Sequence, residues 1–162
     1  MLQIPSEGQE DLFRKTYSGN GNVYCGLKGS CNTDQYFDQK LIEESRNALM
    51  KLIPELNGRK IILYMPSWRK DKETRKTAML SLSKMQTALQ DKYMVVLHFD
   101  QAGQKEKDLK QYEIPGFCKV LEKEIPARRL LMAADVIVGD YSALFFESVL
   151  LGKPMYSSAY DY

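Results

Sequence analysis

Ala133-Ala134-Asp135-Val136-Ile137-Val138-Gly139-Asp140-Tyr141-Ser142-Ala143-Leu144-Phe145-Phe146-Glu147 decides the fold. Val136 to Val138 is apolar, rich in β-branched residues and too short for a helix, so it reads as a buried parallel strand. Gly139 and Asp140 end the run, and Ser142 is placed to cap a helix whose apolar side is Leu144, Phe145, Val149 and Leu150. Gly152-Lys153-Pro154 stops that helix, and Met155-Tyr156-Ser157 reads as the next strand. A strand, a polar turn and a helix start make an anion site. The first helical N–H groups lack intrahelical partners, and the macrodipole places about half a positive charge there. Asp140 and Ser142 serve equally well as a plain turn and cap, and the spacing alone leaves both readings open.

Outward from this stretch, strands and helices alternate. Ile61-Ile62-Leu63-Tyr64-Met65 and Tyr93-Met94-Val95-Val96-Leu97 read as buried strands, and Phe117-Cys118-Lys119-Val120-Leu121 as a short edge strand. Helices are expected at Gln39–Leu52, with an apolar stripe at Leu41, Ile42, Leu49 and Leu52 or Ile53, at Thr77–Gln90, and at Ala127–Ala134. Asn22 to Gly26 reads as a further short strand. Residues 1–21 are polar and read as a linker with one short helical turn, leaving 22–162 as the domain. Residues 101–110 read as a solvated loop or frayed helix. The alternation argues for a doubly wound α/β domain with a parallel sheet covered on both faces.

A chain of 162 residues is long enough for one domain with a real core. Its net charge of +2 gives no argument for a nucleic-acid partner. The three cysteines, Cys25, Cys31 and Cys118, show no metal-site or disulfide spacing, which suits plain thiols in a reducing setting. With one histidine, no metal cluster is proposed, and no apolar run is long enough to span a bilayer.

Parallel strands bring their carboxyl ends to one edge, so Pro66-Ser67-Trp68-Arg69, His98-Phe99-Asp100 and Asp140-Tyr141-Ser142-Ala143 should line one crevice. They offer a guanidinium, an imidazole, a large aromatic, a hydroxyl and a helix start, a set that suits a phosphorylated ligand with a flat base. Each has a plainer reading beside it: Trp68 as a half-buried core aromatic, Arg69 and Lys70 to Lys76 as a solvated charged run, and His98 as a structural histidine.

Together these residues resemble the CDP-glycerol glycerophosphotransferases of teichoic acid synthesis and their ribitol-phosphate relatives. Ile61 to Arg69 is similar to that family's strand and Pro-Thr-Trp-Arg turn, and Leu97-His98-Phe99 to its Leu-His-Pro motif. Ala134 to Ala143, with Phe146-Glu147 and Lys153-Pro154, resembles Ala-Asp-Val-Leu-Ile-Thr-Asp-Tyr-Ser-Ser…Phe-Asp…Lys-Pro. Gly29 to Asp34 resembles the Gly-x-Pro-Arg-x-Asp loop.

The resemblance implies the donor-binding, Rossmann-like half of a GT-B fold, truncated at its C-terminal end, with the other half and its catalytic base elsewhere. It implies transfer of glycerol phosphate or ribitol phosphate from a CDP-linked donor to a lipid-linked acceptor, at the cytoplasmic face of the membrane as a peripheral protein, without a cofactor. By that likeness Ser67 and Trp68 contact the nucleotide and Arg69 supports the turn, while Val96, Leu97 and His98 face the donor. A protonated His98 steadies the donor phosphate, Ser142 and Ala143 hold the pyrophosphate, and Glu147 binds a polyol hydroxyl.

Several positions depart from the family pattern. Asn32 stands where the upstream loop has arginine, removing a charge-assisted phosphate contact typically worth about 1.5–3 kcal/mol. Cys31 and Phe99 replace prolines, Ala143 replaces a serine and Glu147 an aspartate. Two rival functions follow: a GT-B transferase using a nucleotide sugar, and a non-catalytic remnant or interaction module.

Overall fold

The computed structural model describes residues 2–4, 15–16, 25–27, 32–66, 80–99, 109–121 and 123–158. The chain divides into two compact units, Met1–Asp38 and Gln39–Tyr162. In the first, strand β1 (Leu2–Ile4) pairs in parallel with β2 (Cys25–Leu27), in the register Leu2↔Cys25 to Ile4↔Leu27. A 3-10 turn at Asp34–Phe37 follows. The polar start of the chain thus carries a strand where a linker was expected. Three alternating or apolar residues sufficed once a partner strand was present.

The second unit opens with helix α1 (Gln39–Leu52), which has the expected bounds and ends before Pro54. Strand β3 (Lys60–Met65), helix α2 (Leu82–Leu89), β4 (Tyr93–Leu97), β5 (Cys118–Val120), α3 (Ala127–Ala133), β6 (Val136–Gly139), α4 (Ala143–Glu147) and β7 (Met155–Ser157) follow. The five strands β3 to β7 form one parallel sheet in the order β5-β4-β3-β6-β7. From β3 the chain steps outward to β4 and β5. Helix α3 then carries it back to the other side of β3, where β6 and β7 complete the sheet. The order reverses between β3 and β6, so the switch point of a doubly wound fold lies there.

Continuous apolar runs produce this sheet because both faces are covered. Ile62, Tyr64, Val95, Leu97 and Val138 form one buried face, packed by Leu82, Met85 and Leu89 of α2. The alternate residues Ile61, Leu63, Met94, Val96 and Ile137 are also buried and point the opposite way. On that side α3 packs on β3, and α1 packs on α3. Each fully buried aliphatic side chain contributes roughly 1.5–3 kcal/mol.

Two helices differ from the sequence expectation. Helix α2 begins at Leu82, with Leu80 and Ser81 outside it; Thr77 to Met79 lie outside the described residues. Ser81 is the reason, since its hydroxyl accepts from the Lys84 N–H, and the Leu80 N–H donates to the buried Tyr64 hydroxyl at 3.0 Å. Helix α4 has only five residues and passes into a 3-10 turn, Ser148–Leu151, closed by Gly152 at φ 62°. The tighter turn rotates successive side chains further than an α-helix does. Phe145 is therefore buried, while Val149 and Leu150 of the expected apolar side are 61% and 48% exposed.

The carboxyl end of α3 shows what Lys153 does. Four terminal carbonyls of a helix lack intrahelical partners. Lys153 Nζ donates to the carbonyls of Leu131, Met132 and Ala134 at 3.0, 2.5 and 2.6 Å. Arg46 Nη1 donates to the Ala133 carbonyl at 3.2 Å, so all four are satisfied by cations suited to that end of the dipole. Burial pulls the Lys153 amine down from 10.5 to about 8, against the upward pull of the Asp135 carboxylate. Its folded value lies below its unfolded value. Between pH 8 and 10.5 the folded state therefore binds fewer protons, and this group makes stability rise with pH across that window. Lys153→Met should cost on the order of 1–3 kcal/mol at pH 7 through a buried carbonyl left unpaired. In urea melts at pH 7.5 and 10, set apart by that titration, the gap between wild type and variant should widen at the higher pH. A constant gap would contradict the assignment.

Candidate functional site

The β3–β4 and β3–β6 registers decide which residues meet at the carboxyl edge. Tyr64 pairs with Leu97, and Met65 with Gly139. Pro66 and Asp140 therefore emerge side by side at the switch point, with His98 next to them on the other side of β3, level with Met65. All three are buried.

His98 is 6% exposed, and its backbone N–H donates to the Tyr64 carbonyl at 3.0 Å. Its Nδ1 lies 2.8 Å from the Leu121 carbonyl oxygen. A carbonyl only accepts, so Nδ1 carries the proton. Nε2 is then an acceptor in the neutral ring and a second donor in the imidazolium. The Leu121 N–H in turn donates to the Leu97 carbonyl at 2.9 Å, which ties the end of β4 to the residue just past β5. Val96 and Leu97 are fully buried in the core. They supply the strand that delivers His98, and their side chains do not line a crevice.

At the end of β6 the chain turns tightly. A Cβ on Gly139 would sit 2.6 Å from the Phe145 ring, so the ring packs directly on the glycine backbone. Asp140 is 3% exposed, and its Oδ1 accepts from the Tyr141 N–H at 2.6 Å. Ser142 occupies the cap position of α4, but its side chain makes no cap hydrogen bond, contrary to the sequence expectation. Its carbonyl does that work, accepting from Phe145 N–H at 3.0 Å, because its extended backbone (φ −71°, ψ 136°) already aims the chain into the helix. Ser142 is buried and Ala143 exposed.

Glu147, the last residue of α4, is gripped by Arg128. Arg128 Nε and Nη2 each donate to one of its carboxylate oxygens at 2.9 Å. The sequence reading assigned Arg128 no role. The partners lie in different helices, and only the return of α3 to the sheet brings them together. A basic residue in the first turn of the helix preceding β6 was the available signal.

Ser67, Trp68 and Arg69 lie outside the described residues. Asn32 belongs to the first unit, where it is exposed and its carbonyl accepts from Gln35 Nε2. Cys118 is buried, and burial first, then the Glu113 carboxylate, pushes its thiol up to about 12. It is no nucleophile. A cleft of about 570 Å³ lined by Gly58, Arg59, Lys60, Lys92 and Tyr93 sits at the opposite, amino edge of β3 and β4. Arg59 there is spent on the carbonyls of Gln90, Gly116 and Glu55.

The sequence model of the CDP-Glycerol:Poly(glycerophosphate) glycerophosphotransferase family matches residues 2–162. The chain belongs to this family. It is 26% identical over 160 residues to the teichoic acid glycerol-phosphate primase of Bacillus spizizenii, covering 99% of this chain and 40% of that one. It is 31% identical over 159 residues to the teichoic acid poly(glycerol phosphate) polymerase of Bacillus subtilis, covering 95% of this chain and 21% of the polymerase. A solved structure of the wall teichoic acid polymerase TagF superposes with a TM-score of 0.67 at 20% identity, over 99% of this chain and 39% of TagF. The chain thus spans between about a fifth and two fifths of the length of these relatives. The structural likeness confirms the α/β fold read from the sequence.

Gly139→Ala should be destabilising by about 1–3 kcal/mol, because the Phe145 ring must be displaced. The double variant Gly139→Ala/Phe145→Ala should cost clearly less than the sum of the two single ones in denaturant melts. A neutral Gly139→Ala would show that the ring does not seat on this turn.

Proposed function

We propose that this chain is the donor-binding part of a CDP-glycerol:poly(glycerophosphate) glycerophosphotransferase. In that reaction the hydroxyl oxygen of the acceptor attacks the phosphorus that carries glycerol (or ribitol). The new phosphodiester forms as the bond to CMP breaks, the hydroxyl proton leaves to a base, and CMP departs with the electron pair. The observation that carries this reading is His98 at the switch point. Its ring is held by the Leu121 carbonyl, beside the starts of the turns at Pro66 and Asp140. Its protonated Nε2 would donate to the pyrophosphate as charge builds on the leaving CMP, a fixed dipole acting where charge develops.

In the same reading Ser67 and Trp68 would contact the nucleotide and Arg69 would support them. The backbone at Ser142 and Ala143 meets the pyrophosphate, and Glu147 meets the polyol. The attacking hydroxyl's base would come from the other half of a GT-B enzyme. The acceptor would be a lipid-linked polyol phosphate, met at the cytoplasmic face of the membrane. No helix among the described residues is long and apolar enough to cross a membrane.

Isothermal titration with CDP-glycerol, CDP, UDP and GDP tests the reading. Cytidine nucleotides should bind selectively, and His98→Ala should weaken CDP-glycerol by about 10- to 150-fold, the loss of one charge-assisted hydrogen bond. Preference for UDP or GDP would instead indicate a nucleotide-sugar transferase. A folded sample that binds none of them would indicate a non-catalytic remnant.

A further inference from the structure

The Arg128–Glu147 pair sits where the topology makes it useful. Helix α3 feeds β6 at the amino edge of the sheet, so its first turn, with Arg128, lies at the carboxyl edge. Helix α4 leaves β6 at that same edge, and Glu147 is one turn beyond Ala143. The fork therefore joins two helices on the rim that also carries His98 and Asp140. Both side chains are partly exposed, at 33% and 25%. A pair that open adds little to stability. What it fixes is direction: two parallel N–H···O bonds of 2.9 Å leave the carboxylate one orientation.

We propose that Arg128 is a positioning residue of the donor site, holding the Glu147 carboxylate so that it accepts hydrogen bonds from adjacent hydroxyls on the polyol end of the donor. The proposal rests on the donor-site reading above. The guanidinium holds both carboxylate oxygens in one plane. A glutamate left to itself on a helix end would have to give up side-chain freedom when the ligand arrived. The fork removes that cost beforehand. The role is specific to the polyol, because CDP lacks those hydroxyls. Lysine keeps the charge but cannot make the two-pronged contact.

Wild type, Arg128→Ala, Arg128→Lys, Glu147→Gln and the double variant Arg128→Ala/Glu147→Gln should be titrated with both CDP and CDP-glycerol, with melting temperatures recorded alongside. The expected result is CDP affinity within about twofold of wild type in every variant, and CDP-glycerol affinity about tenfold weaker in Arg128→Ala. Arg128→Lys should recover only part of that loss, and the double variant should be no worse than Glu147→Gln alone. Equal loss of both ligands in Arg128→Ala, or unchanged binding of both, would overturn the proposal. If Arg128→Ala melts far below wild type, the charge-retaining Arg128→Lys decides by the same comparison. Wild type that binds neither nucleotide would instead overturn the donor-site reading on which the proposal stands.

Discussion

The Asp135 carboxylate is the contact on which the second unit depends. Its Oδ2 accepts from the Ile61 N–H at 2.8 Å, while the Asp135 N–H donates to the Ile61 carbonyl at 2.9 Å. The two bonds start the β3–β6 ladder in one register and no other. Arg46 of α1 grips both carboxylate oxygens, at 3.0 and 3.3 Å, and so fastens that helix over the same joint. In a parallel sheet a slip by one residue would send every buried side chain to the wrong face. An ion pair that would count for little on an open surface matters here because a main-chain N–H and two helices share it.

The site follows from that register. Once Ile62 is level with Val136, Met65 is level with Gly139, and the turns after β3 and β6 start together. Strand β4 adds His98 on the other side of β3. No residue of the row needs to be steered there by a long loop, because the three strands β3, β4 and β6 deliver it directly from the core. The rim carries the adaptable parts: the exposed Ala143, and the fork between Arg128 and Glu147.

Much of this was legible in the sequence. The runs Ile61 to Met65, Tyr93 to Leu97 and Val136 to Val138 are continuous and apolar, which is the mark of strands covered on both faces, and their parallel arrangement followed from the alternation with helices. The bounds of α1 were legible because a stripe ends at a proline. What escaped reading depended on contacts distant in sequence or on local geometry that several residue types allow. Ser142 looked like a side-chain cap, yet its backbone makes the turn. Val149 and Leu150 looked like core, yet a 3-10 turn swings them outward. Leu2 to Ile4 is too short to signal a strand without its partner at Cys25 to Leu27. Lys153 sat in a recognisable Lys-Pro pair, but its work on the α3 carbonyls is visible only in three dimensions, as is the hold of Arg128 on Glu147.

The central claim is that the ligand edge is the carboxyl edge at the β3–β6 switch point. The most direct test is to follow amide and His98 ring signals by NMR while CDP is added. The account expects the first and largest shifts at His98, Leu121 and Asp140 to Ala143, with Gly58 to Lys60 and Lys92 to Tyr93 at the amino-edge cleft unmoved. Shifts confined to that cleft, or none anywhere at saturating CDP, would contradict it.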